Sequence, residues 1–194
     1  MGDGGGHRDQ GRDDAGPARG EGGLHRVGGK LVHKGPIASV RMDTFEYPDG
    51  STSTRQVVVH PGSVAIIPHD GRAVYLVRQP REPVGEASLL ELPAGKLDVE
   101  GETPLECARR ELAEEIGKAA GDWRELKAFY TSPGFATERC HLFLATELYD
   151  VDSEPPDYER IEIVRQPLDR LDEAIADCAD AASLVGLLML RDLL

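Results

Sequence analysis

Glu111, Glu114 and Glu115 crowd a short stretch between Gly101 and Gly117, with no lysine or arginine after them inside it. At spacings of i, i+3 and i+4 such like charges repel by roughly 0.2–0.5 kcal/mol per pair on an exposed helix. A solvated acidic face is one reading of the pattern. Such a face, however, usually mixes signs and keeps clear of the buried edge, whereas these three carboxylates fall beside an apolar stripe. Carboxylates crowded at a buried edge require a cation, and their hard oxygen donors suit Mg²⁺ or Mn²⁺.

The element that positions them is a helix with well-defined ends. Thr103 is a favourable N-cap, Pro104 is tolerated at the first helical position, and Glu106 completes a Thr-x-x-Glu capping box. Gly117 supplies a left-handed terminator. Leu105, Ala108, Leu112 and Ile116 make the apolar stripe. Before this helix, alternating runs at 30–33, 39–47 and 53–60 predict a small antiparallel meander, with a turn at Pro48, Asp49 and Gly50. Apolar runs at 63–68 and 73–79 predict two strands joined as a hairpin through residues 69–72. Brief strands are expected at 89–92, 123–130, 138–148 and 160–164, and helical periodicity at 168–178 and 183–194. Strands on either side of one central helix, with helices at the end, predict an α/β sandwich with a mixed sheet.

The chain has 194 residues, with 22 Lys+Arg against 35 Asp+Glu, a formal charge of −13. That balance argues against nucleic-acid or anionic-membrane partners. A phosphorylated substrate would need metal ions and a few placed arginines. No run approaches transmembrane length, and the first residues lack the apolar core of a signal peptide. Residues 1–23 are rich in Gly, Asp and Arg and are expected to form a disordered tail. Cys107, Cys140 and Cys178 lack metal-ligand spacing and read as reduced residues in or near the core of a cytoplasmic protein.

Gly95 to Glu102, followed by Arg110-Glu111-Leu112-Ala113-Glu114-Glu115-Ile116-Gly117, resembles the box of the Nudix hydrolases, with eight fixed positions matching in order. Two departures stand out: six residues rather than five separate Gly95 from Glu102, and Lys118 replaces an apolar residue. Leu90 to Gly95, Val77 to Arg81, and Pro133, sixteen residues beyond Gly117, resemble the ADP-ribose pyrophosphatase branch of that family.

The resemblance implies a Nudix-type α/β/α sandwich at 61–194, preceded by the meander at 24–60, which in such enzymes serves dimerisation. It implies Glu111 and Glu115 as principal metal ligands, with Glu114, the Ala94 carbonyl and Glu102 as further ligands, directly or through water. Arg110 would pair with Glu102 and orient the helix. Arg81 and Arg55 would reach substrate phosphate or ribose, Arg55 across a dimer interface. Pro133 marks the substrate loop. The attacking water needs a proton acceptor, which the resemblance places at Glu159, with Glu154 as the alternative. The implied activity is Mg²⁺-dependent hydrolysis of the nucleotide sugar ADP-ribose to AMP and ribose 5-phosphate, by a homodimer. Hydrolysis of another nucleotide sugar or of a nucleoside triphosphate is the alternative within the chemistry. A non-catalytic ADP-ribose sensor is the alternative outside it, disfavoured by the intact box carboxylates.

Overall fold

The computed structural model describes residues 23–153 and 160–194. The tail, save Gly23, and both candidate bases, Glu159 and Glu154, lie outside them. Three antiparallel strands, β1 (His25–Lys34), β2 (Ser39–Glu46) and β3 (Thr52–Val59), form the expected N-terminal meander in that order. Asp43 on β2 is buried between Arg26 (3.0 Å) and Arg41 (3.2 Å). It lies where a Cβ on the facing Gly29 would stand, 2.0 Å from Asp43 Oδ1. The alternating pattern in the sequence begins this strand only at Lys30. The structure extends it back to His25, with Gly29 making room for Asp43.

The remaining strands divide between two sheets. β5 (Ala73–Arg81) is paired antiparallel on one edge by β6 (Glu86–Glu91) and on the other by β10 (Glu162–Pro167). A mixed sheet runs β7 (Ala94–Lys96), β4 (Ser63–Pro68), β9 (Arg139–Asp150), β8 (Lys118–Tyr130), with β4 and β9 parallel. The expected hairpin at 69–72 is therefore corrected. The turn exists, and Asp70 Oδ1 accepts from the Arg72 and Ala73 N–H groups, each at 2.8 Å. Beyond the single bridge His69–Val74, however, the two strands part into different sheets. Both edges of β4 are already taken by β7 and β9, which leaves β5 no place beside it.

The layers follow from period-2 alternation in β4. Val64 and Ile66 point to α1 (Pro104–Ile116), where Cys107, Ala108, Leu112 and Ile116 pack on them. Ala65 and Ile67 point to α2 (Leu171–Asp177) and α3 (Ala181–Leu193), meeting Leu171, Leu187 and Leu190. A strand buried on both faces reads as the unbroken apolar run Val-Ala-Ile-Ile. All three cysteines are unpaired and buried, and burial pushes the Cys107 thiol up to about 12. Among the described residues no helix is long and apolar enough to cross a membrane.

α3 lies unusually close to the sheet because Gly186 has no side chain. A Cβ there would stand 2.4 Å from Leu92 Cδ1 and 3.2 Å from Leu142 Cδ1. Gly186→Val is thus expected to cost about 2 kcal/mol through overpacking and to lower the melting temperature by roughly 4–8 °C. Calorimetry giving an unchanged melting curve would show that Leu92 repacks freely and that the close approach is not required.

Candidate active site

α1 begins and ends as its sequence dictates. Glu106 N–H donates to Thr103 Oγ1, and the Glu106 carboxylate accepts from the Thr103 N–H at 2.8 Å, closing the capping box. Gly117, at φ +64°, donates to the Ala113 carbonyl. Lys118 follows at once as the first residue of β8, its ammonium 2.7 Å from Asp150 and 4.8 Å above the Tyr75 ring. An ion pair and an aromatic face thus replace the apolar contact expected at that position.

Between these ends α1 lays Glu111 and Glu115 along β7. Glu115 is 6% exposed and accepts from the Ala94 N–H at 3.1 Å. Glu111 lies against Gly95 so closely that a Cβ there would sit 2.0 Å from its Cδ. Both carboxylates, with Ala94, Gly95 and Arg81, line a cleft of about 600 Å³.

Arg110 gathers the other box carboxylates. Glu102 accepts from it at two points (2.9 and 3.0 Å), Glu111 at 2.8 Å and Glu114 at 3.1 Å. Hydrogen bonding to Arg110 holds the Glu102 carboxyl below its ordinary range, and the same bond raises the Arg110 pKa. The additional residue in the box loop is absorbed by an exposed turn. Glu102 N–H reaches back to the Val99 carbonyl at 3.2 Å, with Gly101 at φ +82°. The turn bulges outward and leaves the Glu102–Arg110 pair in place.

Four carboxylates against one guanidinium leave surplus negative charge, and every donor is a hard oxygen. That chemistry fits a divalent cation held by Glu111, Glu115 and Glu114 beside the Ala94 backbone. Among the described residues no three His, Cys, Asp or Glu side chains converge as a ready-made ligand set. As arranged, Glu111 and Glu114 turn to Arg110, and Glu115 turns to the Ala94 amide.

The cleft contains some of the expected substrate residues and not others. Arg81 lines it and is held by Glu91. Arg55 is exposed on β3, turned to Ser53 Oγ and the Thr54 carbonyl, and does not line the cleft. Pro133 is exposed, but its neighbours Thr131 and Ser132 line the cleft. Their loop closes where Glu138 accepts from Ser63 Oγ (2.8 Å) and Thr131 Oγ1 (2.7 Å). Val58, at the end of β3, stitches to it through Phe135 and Thr137. Sequence reasoning missed Glu91, Glu138 and Asp180 at this cleft. For Glu91 a signal existed, a lone charge between Leu90 and Leu92 in an otherwise apolar strand end.

Comparison with known proteins places this geometry. Over 118 residues the chain is 43% identical to an ADP-ribose pyrophosphatase of Bacillus subtilis, covering 60% of this chain and 63% of that one. Over 126 residues it is 42% identical to an ADP-ribose pyrophosphatase of Mycobacterium tuberculosis, covering 64% and 60%. It thus spans a little under two thirds of the length of each of these relatives. The fold is similar to a crystal structure described as an ADP compounds hydrolase, with a TM-score of 0.77 at 24% identity, covering 88% of this chain and 94% of that one. Residues 59–184, which include β4 to α2, match the NUDIX domain, and the chain belongs to that family.

Proposed function

We propose that this chain hydrolyses ADP-ribose to AMP and ribose 5-phosphate as a Mg²⁺-dependent pyrophosphatase, with Mn²⁺ able to substitute. One observation carries the reading: Glu111 and Glu115 share a cleft with Arg81, which would set a cation-holding wall beside a phosphate-binding group. Identities of 42–43% to two proteins named ADP-ribose pyrophosphatase support the choice of substrate.

In this mechanism water forms a new P–O bond while the bridging P–O bond of the pyrophosphate breaks. A divalent cation bound by Glu111, Glu115, Glu114 and the Ala94 carbonyl, with Glu102 reaching it through water, would supply Lewis-acid charge and an activated water. Arg81 donates to a phosphate oxygen. Arg110, anchored by Glu102, holds the helix carboxylates in register. Glu159 takes the proton of the attacking water. The loop bearing Pro133 borders the cleft through Thr131 and Ser132, where it would meet the substrate.

The division of labour we propose gives residues 61–194 the chemistry and residues 24–60 the dimer contact. Val27, Leu31 and Val32 leave apolar surface exposed on β1, which a second copy would cover. The same pairing would bring Arg55 of one protomer to its partner's cleft. With its acidic charge and buried thiols the protein suits the cytoplasm, with neither nucleic acid nor membrane as partner.

Glu115→Gln tests the metal wall. Metal-held charge is worth several kcal/mol and each ~1.4 kcal/mol is tenfold, so kcat is expected to fall about 100-fold or more. Retained turnover at saturating Mg²⁺ would remove Glu115 from the ligand set. For the base, Glu159→Gln is expected to lower kcat with little change in KM or in Mn²⁺ affinity measured by electron paramagnetic resonance. A full rate in that variant, with loss in Glu154→Gln, would move the role to Glu154. Light scattering should give twice the chain mass at micromolar concentration; a fully active monomer contradicts the shared site. Products of ADP-ribose hydrolysis in ¹⁸O water, resolved by mass, test the reaction itself, with GDP-mannose, ADP-glucose and 8-oxo-dGTP as competing substrates.

A further inference from the structure

Glu91 ends β6 as a carboxylate only 5% exposed, between Leu90 and Leu92, which are more deeply buried still. Burying a carboxylate is costly unless it is paired and hydrogen-bonded. Here Oε1 accepts from Arg81 Nε at 2.7 Å, and Oε2 accepts from Arg81 Nη2 at 2.5 Å and from Gln79 Nε2 at 3.0 Å. The backbone behind it is fixed as well. Ser183 Oγ accepts from the Leu92 N–H at 2.8 Å, and that hydroxyl donates to Asp180, the N-cap of α3. Arg81 itself is 43% exposed at its side chain and lines the cleft, so the pair has a fixed base and an accessible tip. A register shift between Gln79 and Arg81 re-aims the strand just where the guanidinium must turn.

We propose that Glu91 is a positioning residue for the site. By occupying the Nε–Nη2 edge of Arg81 bidentately, it fixes the plane of the guanidinium. The second edge, Nη1 with the outer N–H of Nη2, is then presented to a substrate phosphate. This rests on the reading of Arg81 as a phosphate contact. A glutamine cannot replace the carboxylate, because in either orientation its amide nitrogen would set a donor against an Arg81 N–H.

The sign of the effect separates positioning from charge. Glu91→Gln removes a negative charge beside Arg81, so electrostatics alone would tighten phosphate binding and lower KM. Loss of positioning raises KM instead. The test is a double-mutant cycle on the full chain with ADP-ribose and Mg²⁺, using Glu91→Gln, Arg81→Ala and the double variant, with thermal melts run alongside. Glu91→Gln is expected to raise KM about tenfold, with kcat within roughly twofold, and to change KM less than about twofold once Arg81 is gone. A lowered or unchanged KM in Glu91→Gln, with KM raised in Arg81→Ala, overturns the positioning role and spares Arg81. An equal rise in both backgrounds also overturns it, since Glu91 would then act by another route. A wild-type KM in Arg81→Ala overturns the reading of Arg81 and the proposal with it. If Glu91→Gln does not fold, Gln79→Ala carries the same cycle, because it loosens Glu91 without changing charge. A KM rise of about threefold that disappears without Arg81 is then expected, and no rise overturns the proposal.

Discussion

Gly95 lets α1 come within touching distance of β7, and the architecture of the site follows from that approach. Neither partner can retreat. β7 is pinned to β4 by its pairing, and α1 is held down by Cys107, Ala108 and Leu112, all buried on the same strand. With any larger residue a Cβ would stand 2.0 Å from the Glu111 carboxyl group, which would have to leave its place against β7. The absence of one methyl group therefore sets the Glu111 carboxylate against the Gly95 backbone, beside Glu115 at Ala94. The Ala94 N–H offsets part of the cost by donating to Glu115.

Arg110 settles the remaining electrostatics of the helix. Its guanidinium donates to Glu102 bidentately across the box loop and to Glu111 and Glu114 along the helix, so it ties loop to helix while softening repulsion among the carboxylates. An extra residue in the loop would ordinarily shift whatever follows it. Here both ends of the loop are fixed, by β7 on one side and by the Glu102–Arg110 pair and the Thr103 cap on the other. The surplus length can only bulge, and Gly101 supplies the positive φ of the turn that takes it up.

How legible each part was depends on whether its cause is local. The ends of α1 were readable from Thr103, Glu106 and Gly117 because a capping box and a left-handed glycine act within one helical turn. β4 was readable from its unbroken apolar run. The parting of β4 from β5 was not, because it depends on which strands already occupy the edges of β4, and one of them, β9, lies more than seventy residues away. The start of β1 before Lys30 was not legible either, because Gly29 fits the strand only through Asp43, fourteen residues on, which fills the space beside it. Lys118 likewise needed Tyr75 and Asp150, both distant in sequence, to explain a cation where the box wants an apolar residue. Of the candidate site, the carboxylate wall that is proposed to hold metal lies on one helix, so its placement was legible. The hold on Arg81 was not, since it joins two strands and depends on the cap of a helix nearly a hundred residues later.

These pairings have a consequence for how charge is distributed in the cleft. Each arginine at the site has a dedicated carboxylate, Glu91 for Arg81 and Glu102 for Arg110, bound through two hydrogen bonds apiece. Arg110 also meets Glu111 and Glu114, but its one charge is shared among three carboxylates, so the wall formed by Glu111 and Glu115 stays acidic in a chain of net charge −13. A pyrophosphate approaching such a wall is repelled unless a cation comes with it or waits there. Arg81, half-compensated by Glu91, would direct a phosphate by the geometry of its donors more than by its field. With a cation held by Glu111 and Glu115, as proposed, metal affinity and substrate affinity would be linked through the same two carboxylates: weakening the hold on the cation would expose the phosphates to both directly, and a loss in one binding equilibrium would be carried into the other.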